Sequence, residues 1–224
     1  MKYLVIIADL GEYVPFIEGL SGYAPRPTEL RKMPACALSV DGNEVFAVCS
    51  GIGKVNAAAT CAIALSEGSY DAVISLGYSG GVSKVTKDDI IAGASYVECD
   101  FDLTPIGYLP GEKTQGAQYV HKADKKLLSA AEKAGIRSAA LGTGDFFLTD
   151  SARRDLYIKL FSINAFDMES GALANVCALL DTPFLAVRKI SDSADDTAGT
   201  DYRETLNGSE TAFSEILVSL LKAI

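Results

Sequence analysis

Three carboxylates each follow a short apolar run in this chain. Glu12 comes after Tyr3-Leu-Val-Ile-Ile-Ala8, Glu169 after Ala165-Phe-Asp-Met168, and Asp192 after Phe184-Leu-Ala-Val-Arg-Lys-Ile190. Such runs read as buried strands, and their C-terminal ends are where α/β sheets bind ligands. Carboxyl groups meeting at one sheet edge suit acid/base cleavage of a glycosidic bond. One must be held protonated to assist the leaving group, and another ionised to activate water. Arg188 lies four residues before Asp192 in the same run. A charge inside a buried strand is costly without a partner.

Taken singly, these residues also have plainer readings. Glu169 and Glu12 would each serve as a helix-start acid opposing the macrodipole. Asp195 and Asp196 read as surface or capping residues. His121 is the only histidine and stands in the polar stretch Gln118-Tyr-Val-His-Lys122, which gives it a solvated role. One histidine argues against a Ser-His-Asp triad or a His-rich metal site. Gly51-Ile-Gly-Lys54 lacks the pattern of a phosphate loop, with Val48 at the first glycine position and Val55 in place of Ser/Thr. No G-x-G-x-x-G occurs. The glycines of Gly77-Tyr-Ser-Gly-Gly81 read as a flexible turn or as backbone lining a pocket.

The elements that must position these groups follow from patterning. Strands are expected at Tyr3–Ala8, Ala37–Val40, Val45–Cys49, Ala72–Leu76, Asp89–Val97, Ala139–Gly142, Ala165–Met168 and Phe184–Ile190. Asp41-Gly42-Asn43 makes a hairpin turn. Helices are expected at Tyr13–Leu20, Val55–Ser66, Ala123–Ala134, Ala152–Phe161 and Glu169–Leu180. Pro25 and Pro27 mark a loop. Leu206, Ser209, Phe213, Leu217, Leu220 and Ile224 recur at helical spacing and predict one closing amphipathic helix. Strands alternating with helices predict an α/β sheet flanked by helices. With 224 residues and no linker or repeat, 1–224 reads as a single domain.

Composition narrows the function. The formal charge is -9 and no basic cluster exists, which points away from nucleic acid and anionic membranes. No run approaches a membrane span, and the N-terminus has no long apolar signal region. Five cysteines without C-x-x-C spacing suit reduced thiols in a cytoplasmic protein.

Ser50-Gly-Ile-Gly-Lys-Val55, Gly77-x-Ser-Gly-Gly81, Asp100-x-Asp102, Thr143-Gly-Asp-x-Phe147, Asp167-Met-Glu-Ser170 and Val187-Arg-x-Ile-Ser-Asp192 occur in one order along the chain. In this the sequence resembles the nucleoside phosphorylase/nucleosidase superfamily, and within it the 5′-methylthioadenosine/S-adenosylhomocysteine nucleosidases. The resemblance implies a three-layer domain with a central mixed twisted sheet. It implies Asp192 as the general acid on purine N7 and Glu12 as the group activating water. It places Glu169 on the ribose hydroxyls, Met168 against the sugar, and Arg188 beside the water and Glu169. Phe147 would stack on the base while the backbone of Leu148 reads its edge. Ile52, Leu103, Ile106 and Tyr202 would line the 5′-substituent pocket, with Tyr78 and Ser79 also at the substrate. The Asp100–Pro110 region would reach a neighbouring subunit's site, implying a homodimer. A purine nucleoside is the implied small-molecule partner, and no metal or organic cofactor is required.

Phosphorylases of the superfamily set arginines around phosphate. This chain has Ser75-Leu76 at one such place and no Arg from Asp9 to Phe16, so water is the expected nucleophile. Tyr78 replaces a usually small residue, and Ile106–Gly111 is shorter than usual. The substrate therefore stays open among 5′-methylthioadenosine, S-adenosylhomocysteine, futalosine and other purine nucleosides. A phosphorylase and a non-catalytic binding protein remain the alternatives.

Overall fold

The computed structural model describes residues 1–114, 118–207 and 212–224. In chain order the strands are β1 (Lys2–Ile7), β2 (Arg26–Leu30), β3 (Met33–Val40), β4 (Asn43–Cys49), β5 (Ala72–Gly81), β6 (Ile90–Glu98), β7 (His121–Lys122), β8 (Arg137–Thr143), β9 (Ala165–Asp167) and β10 (Phe184–Asp192). The helices are α1 (Leu10–Gly19), α2 (Lys54–Glu67), α3 (Lys125–Lys133), α4 (Ser151–Phe161), α5 (Ser170–Leu179), α6 (Ala198–Asn207) and α7 (Ala212–Ala223).

One mixed sheet runs β10-β6-β8-β9-β5-β1-β4-β3-β2, with β7 on β6. Because β10 also pairs with β5, the strands β5, β10, β6, β8 and β9 close into a ring, and β1 to β2 extend from it as an open sheet. Helices flank the sheet, with α2 packed on α5, and α7 on α1 and α3. Strands β1 and β10 are buried almost throughout, β1 as its apolar run requires and β10 with Arg188, Lys189 and Asp192 carried into the interior.

Four local outcomes differ from the sequence reading. Pro27 lies inside β2, tolerated because β2 is the sheet's edge strand and needs donors on one side only. The Gly77–Gly81 segment continues β5 instead of turning. The closing amphipathic segment is two helices, α6 and α7, and Ser209 lies outside the described residues. His121 is half-buried in β7, where burial lowers its pKa, rather than solvated. The hairpin at Asp41-Gly42 forms as expected, both residues taking positive φ (47° and 84°) as a type I′ turn demands.

One side chain completes the ring. Strand β6 bulges between Gly93 and Ser95, and its ladder to β10 covers only Val187 to Lys189. Beyond it, the Tyr96 hydroxyl accepts from Ala186 N (2.9 Å) and donates to Gly93 O (2.7 Å). A Cβ at Gly93 would meet that ring at 2.4 Å, so the position needs glycine. Tyr96→Phe should therefore strand a buried amide and destabilise the protein by about 1–3 kcal/mol in denaturant unfolding; a change near zero would contradict this role.

Candidate active site

The C-terminal ends of β1, β5, β9 and β10 open onto one cavity. Asp9 and Glu12 line it from the start of α1, Ser75 to Gly80 from β5, Asp167 to Glu169 from the β9–α5 junction, and Arg188, Ser191 and Asp192 from β10. Ile52, the Phe146–Leu148 loop after β8, and Tyr202 of α6 complete the lining. Glu12, Glu169, Met168, Arg188, Asp192, Phe147, Leu148, Ile52, Ser79, Tyr78 and Tyr202 are thus brought together. Leu103 and Ile106 are not. They lie on a separate surface segment, with Ile106 70% exposed.

Each functional side chain is aimed by its local structure. Asp9 caps α1 by accepting from Gly11 N (2.5 Å), leaving Glu12 free of capping duty. Glu12 then reaches β5, where its Oε1 accepts from Tyr78 N (3.4 Å). A Cβ on Gly77 would stand 2.8 Å from Glu12 Oε2, and one on Gly80 would stand 2.9 Å from Asp192 Oδ1. The glycines of β5 thus give both carboxylates space beside a strand. At α5 the capping acid is Asp167. Its Oδ1 accepts from Ser170 N (3.1 Å) and Glu169 N (3.3 Å), so the Glu169 carboxylate is free to accept from Gly53 N (3.0 Å).

Asp167 is the residue that the sequence reading missed. Besides its capping bonds it accepts from Thr143 Oγ1 (2.7 Å), Ser170 Oγ (2.9 Å) and Arg188 Nε (2.8 Å). Arg188, 1% exposed, also donates to Ser75 Oγ (3.1 Å) and to Val187 O (3.2 Å). Its direct partner is therefore Asp167, and Glu169 acts on it through space. The signal was an acid two residues before Glu169 in the same motif, its partner 21 residues further on.

Protonation follows from burial. Glu12 is pushed up to about 8, first by desolvation and then by the Glu169 charge, with Arg188 opposing. Glu169 is raised by burial and by Asp167. Asp192 is raised by burial, against the bonds it accepts from Ser191 Oγ (2.7 Å) and Ala194 N (2.8 Å). Arg188 stays charged: burial disfavours its charge, but Asp167, Glu169 and Glu12 outweigh that. Rings gather at the mouth. Tyr202 lies 5.4 Å from Phe147 and 6.2 Å from Tyr78, and Tyr78 packs edge-on to Phe213 at 5.0 Å. Among the described residues no His, Cys, Asp or Glu cluster is arranged to hold a metal ion.

Residues 2–222 match the phosphorylase superfamily model. The chain is 33% identical over 195 residues to 5′-methylthioadenosine/S-adenosylhomocysteine nucleosidase of Bacillus velezensis, covering 83% of this chain and 84% of that protein. It superposes on the Neisseria meningitidis nucleosidase in complex with methylthio-immucillin-A at a TM-score of 0.89 and 28% identity, covering 100% and 99% of the two chains. Futalosine hydrolase of Helicobacter pylori shares the fold, with a TM-score of 0.93 at 22% identity and coverage of 100% and 98%.

The raised Glu12 value has a sign. A carboxyl whose folded pKa lies above its unfolded one stabilises the fold at low pH, and that contribution is lost as pH rises through the folded value, about 8. The melting temperature of ligand-free protein should fall between about pH 6 and pH 8.5, and fall less in Glu12→Gln. Equal slopes in the two proteins would contradict the assignment.

Proposed function

The chain belongs to the phosphorylase superfamily, and on that premise we propose that it hydrolyses the N-glycosidic bond of 5′-modified purine nucleosides. 5′-Methylthioadenosine and S-adenosylhomocysteine are its substrates, giving adenine and the thioribose. The observation that carries this reading is the meeting of Glu12, Glu169 and Asp192, all buried, at one cavity.

Asp192, with its raised pKa, protonates N7 so that the purine departs neutral and its bonding electrons stay on the base. Glu12 takes a proton from the water that adds to the anomeric carbon. Raised to about 8, Glu12 in its ionised form is a stronger base than an ordinary glutamate, and that form grows as pH approaches 8. Glu169 accepts from the ribose 2′- and 3′-hydroxyls, and Met168 packs on the sugar. Phe147 stacks on the base, and the Leu148 backbone reads its edge. Tyr202, Tyr78, Ser79 and Ile52 surround the remaining substrate. The Tyr78 ring packs against Phe213 and Tyr202, toward α6 and α7, which favours an open site over a blocked one.

Water is favoured over phosphate by charge. Asp9, Glu12, Asp167, Glu169 and Asp192 line the cavity with Arg188, which Asp167 and Ser75 already engage. A phosphate dianion would meet mostly carboxylates there. A homodimer is part of this reading: Leu103 and Ile106 stand outside their own cavity on a partly exposed segment, which supports a place for them at a partner's site. A cytoplasmic location accords with five free, buried cysteines. No helix among the described residues is long and apolar enough to cross a membrane.

The test is free-base release from a nucleoside panel with and without phosphate. Adenine release from 5′-methylthioadenosine at an equal rate in both supports hydrolysis; phosphate-dependent turnover or none overturns it. Asp192→Asn should lower kcat by about 10²-fold or more with KM changed only a few-fold, and unchanged turnover would refute its role.

A further inference from the structure

We propose that Lys54 is a positioning residue, its ammonium locking the base-stacking loop and the start of α2 into one unit around Asp100. In sequence Lys54 stands in a phosphate-loop-like motif that lacks the phosphate-loop pattern, and the geometry gives it another use. As first residue of α2, it donates its backbone N–H to Asp145 Oδ1 (2.8 Å). Its Nζ donates to Asp100 Oδ1 (2.7 Å) and Glu98 Oε2 (3.1 Å). Asp100 Oδ2 in turn accepts from Asp145 N (2.9 Å). Lys54, Asp145 and Asp100 therefore form a closed ring of bonds, and Glu98 is paired at its other oxygen with Lys113.

Two substrate contacts hang on this ring. Phe147 is two residues beyond Asp145 and is 43% exposed, so its place depends on how its loop is tied. Gly53, just before Lys54, gives its N–H to Glu169. Gly53 has a φ of +97°, and a Cβ there would lie 3.2 Å from Asp145 Oδ1, so α2 and the loop touch closely. The Lys54 and Asp100 side chains are 16% and 21% exposed, shielded enough for the pair to outweigh solvent screening. Without the ammonium, Glu98, Asp100 and Asp145 would face one another with Lys113 as the nearby cation, and repulsion would loosen the loop.

The kinetic half of the test rests on the nucleosidase reading; the exchange half does not. Lys54→Met should raise KM for 5′-methylthioadenosine about 10-fold with kcat within about 3-fold, and Lys54→Arg should restore KM to within about 3-fold. In the ligand-free proteins, amide hydrogen exchange at 144–148 should quicken about 10-fold in Lys54→Met, with β1 unchanged. Asp100→Asn, which removes the charge but keeps an acceptor, should show the same pattern more weakly and serves if Lys54→Met does not fold. Unchanged exchange at 144–148 in Lys54→Met would overturn the proposal. So would faster exchange spread through β1 and β5 with KM and kcat impaired together, the mark of a merely structural role. If wild-type protein turns over no nucleoside, the functional reading fails and the exchange data alone decide for Lys54.

Discussion

The site depends on a guanidinium buried where three strands bring acids together. Arg188 sits inside the strand ring with Asp167 at 2.8 Å, and both are almost inaccessible to water. Burying such a pair is favourable only when the remaining donors and acceptors are satisfied. Here Thr143, Ser170, Ser75 and backbone groups satisfy them. Because Asp167 absorbs most of the positive charge, Glu12, Glu169 and Asp192 are left short of counter-charge. Burial then raises all three. Burial therefore holds protons on carboxyls that would be ionised in water, Glu12 and Glu169 with Arg188 opposing and Asp192 with its own acidic neighbours adding to the effect.

The fold serves that arrangement through closure. Strand β10 is held on both sides, by β5 in parallel and β6 in antiparallel pairing, and the Tyr96 hydroxyl extends the hold where β6 bulges. Arg188 and Asp192 ride on this strand, so their separation is set by backbone geometry rather than by loops. The glycines of β5 leave room for Glu12 and Asp192 to stand against the sheet.

Much of this was legible from residue patterns. The strand runs, the hairpin and the three acids at strand ends could be read because burial and pleat periodicity write themselves locally. Ring closure could not, since pairing of β10 with β5 and β6 joins segments about a hundred residues apart and leaves no local period. Asp167 was passed over because two acids in Asp-Met-Glu look alike in sequence. One turned out to cap α5 and grip Arg188, which freed the other for the cavity. The glycines of Gly77–Gly81 left a turn and a pocket lining equally open, because glycine marks both. The approach of Glu12 to Gly77 and of Asp192 to Gly80 decides for the lining.

The charge imbalance around Arg188 is measured most directly by carbon-13 NMR titration of glutamate carboxyls in ligand-free protein, with Glu12→Gln assigning the resonance. A Glu12 carboxyl titrating near pH 8, and moving higher when Arg188 is replaced by Met, is the expected result. A Glu12 carboxyl titrating in the usual glutamate range, about pH 4.3, and indifferent to Arg188 would contradict it.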